Sequence, residues 1–119
     1  MNPVSLIIYP AADVPKTTEF FATMLGGEPY VESAYYTGFK TGDVEIGIVP
    51  QAMHGASGAL AFVTVDDIKV AVATLLAAGA ETVQEITDVA NGLLVASVKD
   101  PNGTTVGLRQ FPSAKEKTS

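Results

Sequence analysis

Apolar and polar positions along the chain fall into two successive series of elements, each opening on a β-rich run and continuing into a helix. Val4-Ser5-Leu6-Ile7-Ile8-Tyr9 is rich in branched and aromatic residues and stops at Pro10, the pattern of a strand. Asp13 stands where a side-chain oxygen can accept from the partnerless N–H groups of a helix start. The helix that follows carries an apolar stripe of Phe20, Phe21, Met24 and Leu25, and it ends at Gly26-Gly27, where a left-handed residue is easily accommodated. Three short strands are expected next, near 30–33, 35–41 and 43–50, the last two joined by the tight turn Thr41-Gly42-Asp43.

The second series repeats the first. Ala59–Val65 reads as a strand, and Asp66-Asp67 caps a helix that sets Ile68, Ala71, Val72 and Leu75 on one face and ends at Gly79. Strands near 81–87, 93–99 and 104–111 complete it, the last two joined by Asp100-Pro101-Asn102-Gly103. Leu6 and Leu60 stand 54 positions apart, as do Asp13 and Asp67, and Gly26 and Gly79 stand 53 apart. That constancy predicts an internal duplication of a βαβββ unit with the second helix one residue shorter. Module 1 spans about 3–50, Gln51–Ser57 is the linker, module 2 spans about 58–111, and 112–119 is a polar tail. The whole, 1–119, is read as a single α+β domain with curved mixed sheets and the helices on their outer face.

Composition narrows the classes of function. A chain of 119 residues with 47% hydrophobic and 17% charged positions is long enough for one well-filled core. A net charge of −6 with only seven Lys and Arg argues against nucleic acid, whose phosphates need clustered cations. The absence of cysteine excludes disulfides, thiolate metal sites and thiol chemistry. No apolar run approaches the roughly 20 residues of a membrane helix, and Met1–Pro10 lacks the basic start of a signal peptide. A soluble, cytoplasmic protein is expected, with a small molecule and a second copy of itself as partners, and neither nucleic acid nor a membrane.

Two groups of residues carry a family resemblance. Asp13-Val14-Pro15 through Phe20-Phe21 to Met24-Leu25-Gly26-Gly27 resembles the entry of the first module in the vicinal oxygen chelate superfamily, which unites glyoxalases, bleomycin-resistance proteins and extradiol dioxygenases. Val65-Asp66-Asp67-Ile68, Ala77-Ala78-Gly79-Ala80 and the run from Val98 to Leu108 around Asp100-Pro101-Asn102-Gly103 resemble its second module. The likeness runs from Val4 to Phe111. In metal-dependent members, the resemblance implies, His and Glu side chains on the first and last strand of each module chelate a divalent cation. The matching positions here are Leu6, Gly47, Leu60 and Gly107, none of which offers a donor. The lone histidine, His54, lies in the linker. The resemblance therefore implies a member without metal or other cofactor, in which glyoxalase and dioxygenase chemistry is disfavoured.

Strand alternation converts those positions into a cavity. If Leu6, Gly47, Leu60 and Gly107 face the cup of the sheet, so do Ile8, Glu45, Val49, Phe62, Thr64, Thr105 and Arg109, while Ile7, Ile46, Ile48, Val63, Val106 and Leu108 lie under the helices. The two glycines are expected to leave room for a ligand. Tyr35, Tyr36 and Phe39 concentrate aromatic surface on one strand, one parity facing the cup and the other the helix layer or a partner. Tyr35 and Phe39 join the cavity candidates for stacking on a flat ligand, with ordinary sheet packing as the alternative; Tyr9 and Tyr30 are read as packing residues. Glu45 reads as a general base, an anchor for a cation or an exposed strand carboxylate. Arg109 reads as an anion clamp or a solvated side chain, and His54 as an acid–base group or an exposed linker residue. Three classes of function remain open: a metal-free binding protein for a small organic drug or metabolite, resembling bleomycin-resistance proteins; an enzyme of the glyoxalase or dioxygenase type on a small metabolite; and a non-catalytic regulatory or interaction module. No catalytic residue is assigned.

Overall fold

In a computed structural model of the chain, residues 1–54 and 58–113 are described, without the side chain of His54. The roles considered for His54 and for the tail from 114 onward lie outside those residues. The chain divides into two compact units, Val4–Ala61 and a second comprising Met1–Pro3 with Phe62–Ser119.

The first unit runs β1 (Val4–Ala11), α1 (Val14–Leu25), β2 (Val31–Glu32), β3 (Thr37–Thr41), β4 (Val44–Pro50) and a short α2 (Gln51–His54), which occupies part of the expected linker. Its strands are ordered β2-β3-β4-β1. The hairpin is antiparallel and closes on Thr41↔Val44, with Gly42 at φ 66°, while β4 returns parallel to β1. The crossover between those parallel strands is α1. Its start is set by Asp13, whose side chain accepts from the backbone N–H of Lys16 at 3.1 Å, and its end by Gly26 at φ 79°. Ile7, Tyr9, Ile46, Ile48 and Phe39 pack with Phe21, Val14 and Ala22 on this side of the sheet. Ile48 is 0% exposed, and burial of such a side chain stabilises the fold by about 2–3 kcal/mol.

The stripe expected on α1 is corrected here. Phe21 is buried, but Phe20 is 66% exposed and Met24 is exposed as well. The inward face is Val14, Thr18, Phe21 and Ala22, spaced by four, three and one. A face at that spacing can include a threonine, which a search for apolar residues alone passes over.

The second unit takes in β5 (Leu60–Thr64) from Phe62 onward, then runs α3 (Ile68–Ala77), β6 (Glu81–Ala90), β7 (Leu93–Lys99) and β8 (Thr105–Gln110), with β5-β8-β7-β6 as the sheet order and β5 parallel to β8. Asp67 caps α3 by accepting from Lys69 and Val70 at 3.1 and 3.2 Å. At the far end Gly79, φ 104°, allows Gly79 N–H to reach Leu76 O and Ala80 N–H to reach Leu75 O, a Schellman closure. Val63, Ala71, Val72 and Leu75 pack with Ile68, Ala96 and Leu108, the helix face expected from sequence. Strand β6 is three residues longer than expected, because Asn91 (φ 48°) and Gly92 (φ 92°) form the two-residue turn that joins it to β7.

Each unit is thus a βαβββ module with its helix against one face of its strands, the expected α+β class.

Candidate functional site

The strand register assigns every candidate to a face. In the first unit Ile8 pairs with Gly47, Leu6 with Glu45, and Gly38 with Gly47 across the hairpin, so Leu6, Ile8, Gly38, Lys40, Glu45, Gly47 and Val49 share the face turned away from α1. Leu6, Ile8 and Val49 are buried there, and Glu45 is half-buried. Two tyrosines complete the group. The Tyr30 hydroxyl donates to Glu45 Oε2 at 2.6 Å, and the Tyr36 hydroxyl donates to the same oxygen. Tyr30 is further held beneath Lys40, whose Nζ lies 4.8 Å from the ring centroid. Tyr36 is positioned through its backbone: its N–H donates to Ser33 Oγ at 3.1 Å, and Ser33 N–H and Oγ–H both donate to Tyr36 O.

This arrangement corrects the reading of the aromatic strand. Phe39 belongs to the helix side, its ring 6.4 Å from that of Phe21. Tyr35 precedes β3 and is exposed. Tyr36, counted among the strand aromatics but not among the cavity candidates, and Tyr30, read as packing, are the rings beside Glu45. The hairpin contained the signal: closing it on Thr41↔Val44 sets Phe39 opposite Ile46, and Ile46 already belonged under the helix.

The glycines correct a second expectation. A methyl group built on Gly47 would lie 2.6 Å from Tyr36 Cε2 and 2.7 Å from Ile8 Cδ1; one built on Gly107 would collide with three atoms of the Phe62 ring. The space these glycines clear is filled by the protein's own aromatic rings. It is not left for a ligand.

In the second unit Phe62, Thr64, Ser97, Thr105, Gly107 and Arg109 share the face away from α3, by the registers Phe62↔Gly107, Thr64↔Arg109 and Ser97↔Gly107. Arg109 is 7% exposed, with its guanidinium carbon 4.8 Å from the centroid of the Phe111 ring, so it is no solvated end group. Thr105 is exposed and Thr64 half-buried.

A divalent cation does not fit the positions that the family resemblance assigns to it. Leu6, Gly47, Leu60 and Gly107 carry no oxygen or nitrogen donor in their side chains, and the rings of Tyr36 and Phe62 stand where side chains from the glycines would extend. Among the described residues no three His, Cys, Asp or Glu side chains gather closely enough to hold a metal.

With fold and site in place, the comparison with known proteins is direct. The pattern of the Glyoxalase/Bleomycin resistance protein/Dioxygenase superfamily matches residues 4–108. The chain belongs to that superfamily. Similar solved structures include a glyoxalase/bleomycin resistance protein/dioxygenase superfamily member from Vibrio splendidus 12B01, 17% identical with a TM-score of 0.69, covering 93% of this chain and 100% of that one. A Streptomyces coelicolor methylmalonyl-CoA epimerase variant in complex with 2-nitronate-propionyl-CoA is 14% identical at a TM-score of 0.73, covering 95% and 96%. A Legionella pneumophila structure described as an NAD-dependent benzaldehyde dehydrogenase is 16% identical at 0.72, covering 90% and 98%. At such identities the likeness concerns the fold alone. No curated protein matches the sequence.

No helix among the described residues is long and apolar enough to cross a membrane.

Proposed function

We propose that the protein binds a small organic ligand through a cationic or N–H donor group received by Glu45, without a metal and without catalysing a reaction. The observation that carries this reading is the state of the Glu45 carboxylate. Two phenol hydroxyls hold Oε2, while no Lys or Arg among the described residues forms an ion pair with it. Lys40 stands directly across the hairpin yet places its ammonium over the Tyr30 ring. A carboxylate has about four acceptor positions, so Oε1 remains for a donor from outside. The ring of Tyr30, 52% exposed beside the carboxylate that its hydroxyl holds, offers the apolar contact that a drug-like or metabolite body needs.

The filled spaces at Gly47 and Gly107 favour a second reading, a regulatory or interaction module whose sheet face is packed rather than hollow. Enzymatic relatives such as the epimerase support an activity for this chain only through shared fold, and fold does not determine chemistry. A homodimer in the cytoplasm is part of the proposal. It rests on exposed Phe20 and Met24, one turn apart on α1, and on the cysteine-free composition; sedimentation of the purified chain reads the assembly state directly.

A thermal-shift panel of cationic, neutral and anionic aromatic compounds tests the binding reading, because a ligand of the native state raises Tm. Cations are expected to stabilise the protein, and Glu45→Gln to weaken the best of them by about tenfold, or 1.4 kcal/mol, with the unliganded Tm little changed. Equal shifts in wild type and Glu45→Gln would remove the carboxylate from the reading, and no shift with any class would favour the interaction module.

A further inference from the structure

Glu45 offers a ligand one oxygen rather than two. Its Oε2 already accepts from the hydroxyls of Tyr30 and Tyr36, and a carboxylate oxygen has about two acceptor positions. Oε1 is what remains. A guanidinium or amidinium, which binds a carboxylate by parallel N–H groups to both oxygens, does not match that acceptor. The neighbours on the same face, Leu6, Ile8 and Val49, bring no acceptor in their side chains. A primary ammonium presents three N–H groups to a single acceptor, whereas a tertiary ammonium presents one.

The ring of Tyr30 is the second observation. Lys40 stands opposite Glu45 across the hairpin, yet its Nζ lies 4.8 Å from the centroid of that ring and makes no ion pair with the carboxylate. The ring face next to Glu45 is thus a seat for positive charge. Tyr30 is held in place by two bonds, its N–H donating to Gly38 O at 2.9 Å and its hydroxyl to Glu45 Oε2 at 2.6 Å. A methyl group built on Gly38 would lie 2.8 Å from Cε1 of Tyr30, 2.8 Å from Cε1 of Tyr36 and 3.1 Å from Glu45 Oε2. The missing side chain lets two rings and the carboxylate close on one point.

We propose that the group received at Glu45 is an N-methylated tertiary ammonium, with its one N–H donated to Oε1 and its methyl groups laid on the Tyr30 ring in place of the Lys40 ammonium. This rests on the role proposed above for Glu45 and narrows it to one class of amine. Methyl groups spread the charge and weaken its hydration, so such a cation leaves water for an aromatic face more readily than the compact, strongly hydrated ammonium of a lysine. Tyr30 and Lys40 are both exposed, and a cation–π contact at an exposed position is weak, so Lys40 gives way. It acts as a competitor built into the hairpin.

Calorimetric titrations of the full chain with benzylamine, N,N-dimethylbenzylamine and benzyltrimethylammonium, all cations at neutral pH, test it. The dimethyl compound is expected to bind tighter than benzylamine by roughly two- to fivefold, the worth of an exposed cation–π contact. It should also bind tighter than the trimethyl compound, which has no N–H for Oε1. Tyr30→Ala should abolish the preference for the dimethyl compound over benzylamine, Tyr30→Phe should keep it, and Lys40→Met should enlarge it. The ratio of two cations cancels the general gain from removing a positive charge. If benzylamine binds, Glu45→Gln weakens it and methylation brings no gain, the amine class is overturned while the role of Glu45 stands. If none of the three binds, both fall. A preference that survives Tyr30→Ala overturns the seat on the ring, and tighter binding of the trimethyl compound overturns the N–H contact.

Discussion

Replacing Gly107 by alanine decides whether the family's metal position on β8 is open or filled. Gly107 does not need a left-handed backbone, so alanine meets no conformational penalty there. It should even gain about 0.5–1 kcal/mol, the usual advantage over glycine inside a strand. Against this stands the ring of Phe62, whose Cγ and Cε2 lie 2.6 Å from the new methyl position. Phe62 is itself buried, so the ring cannot simply swing into water. Overpacking of this kind costs about 1–3 kcal/mol, and the clash wins over the propensity gain. The expected net destabilisation is about 1–2 kcal/mol, a fall in Tm of roughly 4–8 °C for a chain of this size. Urea unfolding measures it. In a Phe62→Ala background, itself about 3–5 kcal/mol less stable, the same Gly107→Ala change should become neutral or stabilising, because no ring remains to be displaced. A stabilising Gly107→Ala in the wild type, or an equal cost in both backgrounds, would refute the filled position.

Two further outcomes follow from the same structure. Addition of nickel, zinc, manganese or iron(II) to metal-stripped protein should leave Tm unchanged, and a stoichiometric rise with any of them would mean that donors outside the family's positions assemble a site. Asn91→Ala should cost about 1 kcal/mol, because φ 48° suits asparagine and not alanine, whereas Asn91→Gly should keep Tm near the wild-type value; equal losses in the two variants would locate the effect in the asparagine side chain.

Much of the fold was legible because the signals were local. Asp13 and Asp67 cap the helices expected from them, the parity of Ile7, Ile46, Ile48 and Val63 matches the helix-packed faces, and the spacing between halves anticipates two equivalent modules. The site was legible in part. Leu6, Ile8, Glu45 and Val49 fall on the face assigned to them, yet Phe39 does not, since only the closed hairpin register tells it from Tyr36. The partnership of Glu45 with Tyr30 joins residues 15 apart in sequence, a contact that strand periodicity along a single strand does not report. The glycines were misread for a related reason. A missing side chain implies space, but whether a neighbour fills that space depends on rings carried by other segments, Tyr36 ahead of β3 and Phe62 on β5.

The central claim is that Glu45 and its two tyrosines receive an organic donor group, and amide chemical-shift mapping with the most stabilising cation of the thermal panel tests it most directly. The account predicts shifts centred on Leu6, Tyr36, Gly38, Glu45 and Gly47 that vanish in Glu45→Gln. Shifts confined to the α1 side, around Thr18 and Thr37, or an unchanged map in the variant, would contradict it.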